Sequence, residues 1–448
     1  MSQLMKSVSG IRGIVGDSLN AELVLLFAKR FGVFSGRGKV VVGRDSRTTG
    51  KMLFNAVSAG LMSVGADVID LGICPTPTIL LAVENLHADG GIAITASHNP
   101  PEWNALKLIN KDGTFLTPVQ SKEFWDIEEI TLKDLDWEHI GSFSTYENAI
   151  DDHIKAILDL PIIETDEIRK AHYNVVIDST NGAGGMMSPG LLKALGCDVI
   201  ELFSEPTGRF SRVAEPVAKN LSELEKLVKQ NHADAGFATD PDVDRLSLVS
   251  DKGFALGTEF TLLLAEKYVL SQKKGNIATN LSSSMASDQI AQENGVEIFR
   301  SAVGEINVAE IMKAHECVIG GEGNGGVILP DLHFTRDAPL GMALILSYMA
   351  TSKKKLSELA AEIPRYYIYK TKCELQPHTD FDKIITSIKK VYLKQKLDEQ
   401  DGLKIIDPEY WIHIRKSGTE PIVRIIAESD SETRSKELCD NIIENYFE

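Results

Sequence analysis

Cysteine is scarce in this chain, which has five cysteines among 448 residues. They stand far apart, with no C-x-x-C pair, at Cys74, Cys197, Cys317, Cys373 and Cys439. An odd and scattered set argues against a disulfide framework and against a cysteine-based zinc site. We therefore expect reduced thiols, most of them buried.

Long apolar runs are absent as well. No stretch reaches the roughly 18 residues of a membrane-spanning helix, and the N-terminal segment Met1–Lys6 lacks the apolar core of a signal peptide. The composition, 43% hydrophobic and 25% charged without low-complexity tracts, is typical of soluble globular proteins. We expect a cytoplasmic protein with no membrane partner, and a prior of roughly 100–200 residues per domain predicts three or four domains.

Positive charge is in deficit. Lys and Arg total 47 against 64 Asp and Glu, for a formal net charge of −17, which argues against a nucleic-acid partner because backbone binding depends on Lys and Arg. An anionic ligand would need locally concentrated cations. Such residues do stand beside glycines or turn residues: Arg12, Arg44, Arg47, Lys107, Arg245, Arg415, Lys416 and Arg424. Arg44 could equally form a structural ion pair with Asp45 or another carboxylate.

A helix, a glycine and a strand follow one another at residues 61–71, again at 191–202, and more faintly at 292–299. The first two copies precede a shared His-Ala-Asp-x-Gly-x-Ala sequence at 87–93 and 232–238, while chance recurrence remains an alternative for the third copy. Three related α/β units would each present one chemically distinctive loop.

The repeat sets the predicted domain boundaries. We predict mixed-sheet α/β domains over 1–145, 146–252 and 253–366, followed by a smaller α+β domain over 367–448. Within this last domain the pattern predicts a helix at about 382–396 and strands at 403–407, 410–414 and 422–427.

Ser97 is the candidate nucleophile. It follows the apolar run Gly90–Ile94, which predicts a strand buried on both faces, and the Asn99-Pro100-Pro101 sequence then forces the chain to turn. Ser97 would therefore project from a constrained loop at the carboxyl end of a strand, where ligands bind in α/β sheets. His98 is expected to support this loop rather than act as a base. Lys107 could move protons near a phosphate and a metal, or be a solvated surface lysine.

Three aspartates, Asp240, Asp242 and Asp244, alternate after another apolar run. Alternate side chains point the same way, so these oxygens can converge on a hard cation such as Mg²⁺. A purely structural role is the weaker interpretation, because three carboxylates this close repel one another without a counter-ion. The planar fork of the adjacent Arg245 suits phosphate oxygens.

Two further loops are rich in glycine and polar residues. Residues 415–424 combine two arginines, two hydroxyls and a glycine turn, a set that can cradle a phosphate or simply form a polar hairpin. Residues 321–326 carry Glu322 and Asn324, which sugar hydroxyls prefer as partners, although a plain glycine-rich turn explains the segment equally well.

Together these loops resemble those of the α-D-phosphohexomutase superfamily. Thr95–Pro101 looks like its phosphoserine loop, Asp240–Arg245 its metal loop, Gly321–Gly326 its sugar loop and Arg415–Pro421 its phosphate loop. The resemblance runs from Gly10 to Arg424, with the four loops in the family's order.

This resemblance implies a four-domain, heart-shaped enzyme that interconverts hexose 6-phosphate and hexose 1-phosphate. Phosphorylated Ser97 would exchange its phosphoryl group with a hexose monophosphate through a hexose 1,6-bisphosphate, on a monomer or homodimer. The implied roles are catalytic for Ser97, Lys107, Arg12, His98 and Arg245, Mg²⁺-binding for Ser97, Asp240, Asp242 and Asp244, sugar-binding for Glu322 and Asn324, and phosphate-binding for Arg415, Ser417, Gly418, Thr419 and Arg424.

Departures from the family pattern bear on the sugar. Gly326 stands where many bacterial members have a histidine, so a proton-transfer role at that position has no counterpart here, and Pro241 replaces the more usual glycine. The opening Val8–Gly13 and the Glu-x-Asn-Gly-Gly sugar loop look most like the archaeal and Bacteroidetes-type members, commonly assigned as phosphoglucosamine mutases. We expect glucosamine 6-phosphate as substrate, with phosphoglucomutase or phosphomannomutase activity as the alternative.

Two other classes of function compete with this expectation. A metal-dependent phosphatase would want metal-binding histidines, and the ten histidines form no such cluster in the sequence. A non-catalytic sugar-phosphate sensor would be expected to lose Ser97 or one of the three aspartates, and the chain keeps all four.

Overall fold

The computed structural model describes residues 4–375, 379–417 and 422–447. Within these ranges the chain forms four separate β-sheets, each packed against its own helices. Three sheets are mixed and the fourth is antiparallel, which confirms the predicted architecture of three related α/β domains and a smaller α+β domain.

The first sheet has seven strands in the order β1-β2-β6-β5-β3-β4-β7. Its strands are β1 (Met5–Ser7), β2 (Gly10–Ile14), β3 (Lys39–Arg44), β4 (Asp67–Ile73), β5 (Gly90–Ile94), β6 (Trp103–Asn110) and β7 (Phe143–Thr145), and its helices are α1 (Ala21–Phe34), α2 (Gly50–Ser63), α3 (Thr76–Asn85) and α4 (Pro118–Asp126), followed by a short 3₁₀ helix at Glu129–Leu132. Every residue of β5 is buried, as its apolar sequence predicts for a strand in the middle of a covered sheet. Helix α4 begins at a capping box between Thr117 and Gln120, with a proline in its first turn.

The second sheet has four strands in the order β11-β10-β8-β9. Its strands are β8 (Asn174–Asp178), β9 (Asp198–Leu202), β10 (Ala235–Thr239) and β11 (Leu246–Ser250), and its helices are α5 (Ala149–Leu158), α6 (Thr165–Ala171), α7 (Gly184–Ala194) and α8 (Ser222–Gln230), with a 3₁₀ turn at Ala218–Asn220. Strands β8, β9 and β10 are parallel, and β11 returns antiparallel to β10.

The third sheet repeats this design in the order β13-β12-β14-β15. Its strands are β12 (Ile277–Asn280), β13 (Ile298–Ser301), β14 (Ile319–Glu322) and β15 (Gly326–Ile328), and its helices are α9 (Glu259–Gln272), α10 (Ala286–Asn294), α11 (Glu305–Ala314), α12 (Ala338–Ser352) and α13 (Leu356–Ala361). Helix α12 is buried along most of its length within one hydrophobic cluster that spans the second and third domains.

The repeat in the sequence is a repeat in the fold. The strand orders β6-β5-β3-β4, β11-β10-β8-β9 and β15-β14-β12-β13 are equivalent, including the antiparallel strand at the start of each. The three predicted loops lie between equivalent strands, because each connects the central strand to its antiparallel partner. The faint third copy is therefore a true member of the repeat.

The C-terminal domain has a five-stranded antiparallel sheet in the order β16-β20-β19-β18-β17. Its strands are β16 (Tyr367–Glu374), β17 (Lys396–Asp398), β18 (Leu403–Ile406), β19 (Trp411–Lys416) and β20 (Ile422–Ser429), and its helices are α14 (Phe381–Val391) and α15 (Glu432–Tyr446). The three predicted strands are present, but the predicted helix ends at Val391, five residues earlier than expected, and a turn at 392–395 leads from it into β17. The flanking strand β16 and helix α15 were not predicted.

A buried polar junction joins the first three domains. His153 of α5 contacts Thr78 of α3 at 2.8 Å through Nδ1 and Asp337 at 2.7 Å through Nε2. Asp337 caps the N-terminus of α12 by accepting a hydrogen bond from the backbone N–H of Leu340. This junction therefore connects the three related domains to one another.

All five cysteines are free, and four of them are buried, as expected from their spacing. Among the described helices, none combines the length and the apolar character needed to cross a lipid bilayer.

Candidate functional site

Ser97 sits in a tightly held loop after β5. Its φ is +50°, in the left-handed region that a residue with a side chain adopts only when its surroundings enforce it. The backbone N–H of Ser97 donates to Thr95 Oγ1 at 2.9 Å, and that hydroxyl in turn donates to Asp45 Oδ2 at 2.6 Å. Hydrogen bonds through Thr95 to Asp45 therefore hold the loop in place, and the side chain of Ser97 lies at the carboxyl end of β5.

Arg47 completes this anchor. It forms a fully buried ion pair with Asp45 at 3.0 Å. Its two terminal nitrogens donate to the carbonyl oxygens of Ser97, Asn99, Pro100 and Trp103 at 2.6 to 3.0 Å. Asp45 thus forms its ion pair with Arg47, and not with Arg44 as the sequence analysis suggested. The Asp-Ser-Arg spacing could have indicated this pairing, because an Asp side chain in a turn accepts a hydrogen bond from the backbone N–H two residues later. Asp45 accepts such a bond from Arg47.

The three aspartates of the metal loop converge as their alternation predicts. Asp240, Asp242 and Asp244 are at most 1% exposed, and each offers an oxygen within 4.8 Å of the others. The Ser97 hydroxyl donates to Asp240 Oδ2 at 2.7 Å, although 143 positions separate the two residues. The structure thus brings the predicted nucleophile to the predicted metal ligands.

The loop after β10 is shaped by close packing. Val243 has a φ of +67°, which turns the chain between the second and third aspartates. A Cβ added to Gly182 would lie 2.6 Å from the Cα of Pro241 and 2.7 Å from its carbonyl oxygen, so only glycine fits beneath the loop. The backbone N–H of Ala183 donates to that same carbonyl at 2.8 Å. The N-terminal end of α7 therefore supports the acidic cluster.

The acidic cluster has the electrostatics of a cation site. Burial, together with the charges of Asp242 and Asp244, raises the pKa of Asp240 well above its usual range. Burial opposes ionisation of Asp242 too, but Lys107 outweighs it and lowers the pKa of that carboxyl. In the described part of the chain, Asp242 Oδ1 and Asp244 Oδ1 have no hydrogen-bond partner. Buried carboxylate oxygens with open lone pairs are suitable ligands for a hard divalent cation.

Lys107 is not a solvated surface lysine. It lies on β6 with 8% of its surface exposed, and its ammonium donates to Asp242 Oδ2 at 2.6 Å and to Asp244 Oδ2 at 3.5 Å. Burial alone would lower the pKa of Lys107, but the two carboxylates raise it above its usual value. The amine is therefore charged in this state and stands beside the acidic cluster.

Arg12, His98 and Arg245 surround the Ser97 loop. Arg12 Nη1 donates to Asn99 Oδ1 at 2.5 Å, and the backbone N–H of Arg245 donates to Asp240 Oδ1 at 3.2 Å. Burial, reinforced by the charges of Arg245 and Arg12, lowers the pKa of His98 to about 2. A neutral imidazole with Nδ1 3.4 Å from Ser97 Oγ agrees with the supporting position expected for this residue.

In the predicted sugar loop, both carboxylate oxygens of Glu322 accept hydrogen bonds from the protein. Glu322 Oε1 accepts from Asn280 Nδ2 at 2.7 Å and from the backbone N–H of Gly304 at 3.2 Å, and Oε2 accepts from Asn324 Nδ2 at 3.1 Å. Burial opposes ionisation, but the charge of Arg336 outweighs it and holds the pKa of Glu322 below its usual value. Glu322 is therefore an anion that can only accept hydrogen bonds.

Arg336 was not predicted from the sequence. It precedes helix α12 and forms ion pairs with Asp244, Glu305 and Glu322. In the sequence it is one arginine in the segment Phe334–Ala338, with neither a glycine turn nor a repeated position to single it out. Only the folded chain shows that it bridges the metal loop and the sugar loop.

A cavity of about 410 Å³ collects these groups. It is lined by Arg12, Ser97, His98, Lys107, Arg245, Glu322, Asn324 and Arg336, together with residues 7–9, Phe115 and 303–307. Seven predicted site residues from three domains thus share one cleft, and its volume suits a small ligand.

The described residues of the predicted phosphate loop are linked to this cleft through Asp401. Gly418 and Thr419 are outside the described residues, while Arg415 and Arg424 face each other across β19 and β20, and the backbone N–H of Ser417 donates to the carbonyl of Ile422. Arg415 pairs with Asp401 at 3.0 Å. Asp401 in turn accepts from the backbone N–H of Val303, which lines the cleft, whereas none of the described residues of the C-terminal domain does.

Profiles of one known protein family match almost the whole chain. The profiles are those of phosphoglucomutase/phosphomannomutase: alpha/beta/alpha domain I over residues 4–134, domain II over 151–253, domain III over 257–367, and the C-terminal domain over 372–445. The four profiles follow one another along the chain in the order of the four sheets.

Individual relatives agree with these profiles. A probable phosphoglucosamine mutase of Methanopyrus kandleri is 37% identical, over 97% of this chain and 96% of the relative. A phosphoglucomutase/phosphomannomutase of Thermococcus kodakarensis is 38% identical, over 96% of each chain. The crystal structure of a phosphoglucomutase/phosphomannomutase family protein from Burkholderia thailandensis superposes with a TM-score of 0.84 and 25% identity, over 98% of this chain and 97% of that one.

More distant structures share the fold and contain ligands. Aspergillus fumigatus N-acetylphosphoglucosamine mutase, solved with GlcNAc-6P and magnesium, has a TM-score of 0.56 at 15% identity, over 91% of this chain and 82% of that one. A variant of the same enzyme solved with glucose 1,6-bisphosphate has a TM-score of 0.61 at 14% identity, over 98% of this chain and 94% of that one.

Proposed function

The chain is a phosphohexomutase of the phosphoglucomutase/phosphomannomutase family, and from that premise we propose that it converts glucosamine 6-phosphate to glucosamine 1-phosphate through a phosphoserine at position 97. The observation that carries this proposal is the 2.7 Å contact between Ser97 Oγ and Asp240. A phosphate on that oxygen would stand beside three buried carboxylates, which only a divalent cation would make favourable.

We propose Mg²⁺ as that cation, held by Asp240, Asp242 and Asp244 with an oxygen of the Ser97 phosphate. The buried oxygen donors favour a hard cation, and magnesium accompanies the sugar phosphate in a distant structural relative. Bound Mg²⁺ would neutralise negative charge on the transferring phosphoryl group.

In the first half of the proposed cycle, a hydroxyl of the hexose monophosphate attacks the phosphorus of phospho-Ser97. The new O–P bond forms as the bond from phosphorus to Ser97 Oγ breaks. The Lys107 ammonium gives a proton to the departing Ser97 Oγ and takes up the proton of the attacking hydroxyl. The product is a hexose 1,6-bisphosphate, and glucose 1,6-bisphosphate is the ligand of a variant of the same distant relative. After the bisphosphate reorients, Ser97 Oγ attacks its other phosphorus as the bond from that phosphorus to the sugar oxygen breaks. The Lys107 ammonium gives a proton to the departing sugar oxygen and takes up the proton of the Ser97 hydroxyl.

The remaining residues hold the substrate in both orientations. Glu322 would accept hydrogen bonds from sugar hydroxyls and Asn324 would donate to them, and these hydroxyls are present in either orientation. Arg12, His98 and Arg245 face the transferring phosphate, where a neutral imidazole can donate without adding charge. The loop with Arg415, Ser417, Gly418, Thr419 and Arg424 is proposed to bind the phosphate that is not reacting.

The choice of glucosamine rests on the relatives and on the Glu-x-Asn-Gly-Gly sugar loop. A glucose or mannose phosphate is the second candidate, since a similarly related protein is named a phosphoglucomutase/phosphomannomutase. We place the reaction in the cytoplasm, on a monomer or homodimer without a nucleic-acid or membrane partner.

A coupled assay tests this proposal. The purified protein is given Mg²⁺, a trace of hexose 1,6-bisphosphate and, in turn, the 6-phosphates of glucosamine and N-acetylglucosamine and the 1-phosphates of glucose and mannose. The highest kcat/KM is expected for glucosamine 6-phosphate, with turnover lost in Ser97→Ala. A higher kcat/KM for another sugar phosphate would reassign the substrate. Binding of a sugar phosphate without turnover would favour the alternative of a non-catalytic sugar-phosphate sensor.

A further inference from the structure

Position 326 carries no side chain because another residue occupies the space. A Cβ added to Gly326 would lie 2.1 Å from Cδ of Arg336, 2.7 Å from its Cγ and 3.2 Å from its Cβ. The φ of Gly326 is not in the left-handed region, so its backbone conformation does not require glycine. The stem of Arg336 alone therefore excludes a side chain at this position.

The arginine that lies over Gly326 binds a different carboxylate with each of its three nitrogens. Nη1 donates to Glu322 Oε2 at 2.7 Å, Nη2 to Asp244 Oδ2 at 2.6 Å and Nε to Glu305 Oε2 at 3.2 Å. The side chain of Arg336 is 8% exposed. One cation thus neutralises three buried acids, two of which belong to the loops assigned to metal and sugar.

The geometry of guanidinium suits this position better than that of any other cation. Its donors point in fixed directions within one plane, so three bonds fix the relative positions of three acceptors, whereas an ammonium is a point charge on a flexible stem. Glu305, at the start of α11, also accepts from the backbone N–H of Arg336 at 2.8 Å, which fixes the base of the side chain. A backbone bond from the N–H of Leu246 to the carbonyl of Gly325 joins the same two loops at 2.9 Å.

We propose that Arg336 is a positioning residue that sets the separation between Asp244 of the metal loop and Glu322 of the sugar loop, and that Gly326 is glycine in order to admit it. The inference rests on the proposed function, because it concerns how the sugar is placed relative to the phosphoryl group. Arg336 acts through the two carboxylates, since they already occupy its donors.

A double-mutant cycle with Gly326→Ala and Arg336→Ala tests the inference. Melting temperature with and without Mg²⁺, the KM for sugar phosphate and the Mg²⁺ concentration for half-maximal rate are measured for each variant. Gly275→Ala is the control, because its new Cβ would lie 2.3 Å from Cγ1 of Val318 in the same domain but outside the cleft. Arg336→Lys keeps the positive charge but loses the planar guanidinium. If Arg336→Ala does not fold, the KM and Mg²⁺ requirement of Arg336→Lys are used instead.

Gly326→Ala is expected to lower kcat/KM at least about tenfold, since small misplacements at a reacting site are costly. The same change in the Arg336→Ala background is expected to cost less than about twofold, because additivity fails for residues in contact. Arg336→Ala and Arg336→Lys should both raise KM and the Mg²⁺ requirement, whereas Gly275→Ala should lower only the melting temperature.

Equal costs of Gly326→Ala with and without Arg336 would overturn the inference, as would unchanged KM and Mg²⁺ requirement in Arg336→Lys. If the wild-type chain turns over none of the sugar phosphates, the proposed function fails by itself. The melting temperatures then decide alone: non-additive shifts that depend on Mg²⁺ support the inference, and additive shifts that are independent of Mg²⁺ contradict it.

Discussion

The hydroxyl of Ser97 donates a 2.7 Å hydrogen bond to Asp240, which lies in the next domain of the chain. Two equivalent loops of a repeated fold, one after β5 and one after β10, supply the two partners. The contact explains why neither domain could form the site alone. Asp240 is therefore the residue at which we test the proposed cation site.

Asp240→Asn is expected to lower kcat/KM by about 10²–10³-fold, the range found when one electrostatic partner is removed from an active site. The amide keeps the shape of the carboxylate and can still accept the bond from Ser97, but it removes one negative charge from the cation site. Initial rates across a Mg²⁺ titration are the measurement, with Asp198→Asn on the exposed end of β9 as the control. Activity and Mg²⁺ dependence equal to the wild type would show that Asp240 holds no cation.

Gly182→Ala is expected to disturb the metal loop without changing any charged group. The added methyl would press on the backbone of Pro241, and backbone cannot move aside as a flexible side chain does. We expect at least about a tenfold loss of kcat/KM and a higher Mg²⁺ requirement, because the ligands are displaced. Gly190→Ala is the matched control, since its Cβ would only touch Ile154 at 3.5 Å. Similar kinetics for the two variants would contradict the proposed support from Gly182.

Arg47→Met should destabilise the first domain and inactivate the enzyme together. It leaves Asp45 buried without its partner and frees four carbonyls of the Ser97 loop, and breaking such a buried pair typically costs about 3–5 kcal/mol. Thermal unfolding followed by circular dichroism measures the loss. Adding Asp45→Asn should recover part of the stability but not the activity, because the loop stays unanchored. Recovery of both would mean that Arg47 contributes only through its charge.

Glu266 should make stability fall as pH rises. Burial in helix α9 raises the pKa of its carboxyl to about 8, from an ordinary value of 4.5. Above the ordinary value the unfolded chain loses this proton while the folded chain keeps it, so stability declines between about pH 4.5 and 8 and then levels off. Glu266→Gln should therefore raise the melting temperature at pH 8 more than at pH 5, whereas the exposed control Glu316→Gln should not. Equal effects at the two pH values would contradict the shift.

The sequence patterns identified the candidate site residues that directly follow buried strands. Ser97 and the three aspartates were recognisable because a buried strand followed by a turn fixes where side chains point, and the equivalent strand orders then bring those loops together. Arg336 was not singled out, and Arg47 was expected only as one of the cations available to an anionic ligand. What the two arginines do depends on carboxylates and carbonyls that are distant in sequence. The helix after β16 was predicted too long: it ends at Val391, a turn follows, and Lys396, which was expected to be helical, pairs with Ile406 in the sheet.

Transfer of a labelled phosphate tests the central claim most directly. The protein is incubated with hexose 1,6-bisphosphate and Mg²⁺, and peptide mass spectrometry then locates the phosphate before and after a chase with glucosamine 6-phosphate. We predict a single phosphate on Ser97 that the chase moves to the sugar, and none in Ser97→Ala. A phosphate on another residue, or one that water removes without reaching the sugar, would contradict the account.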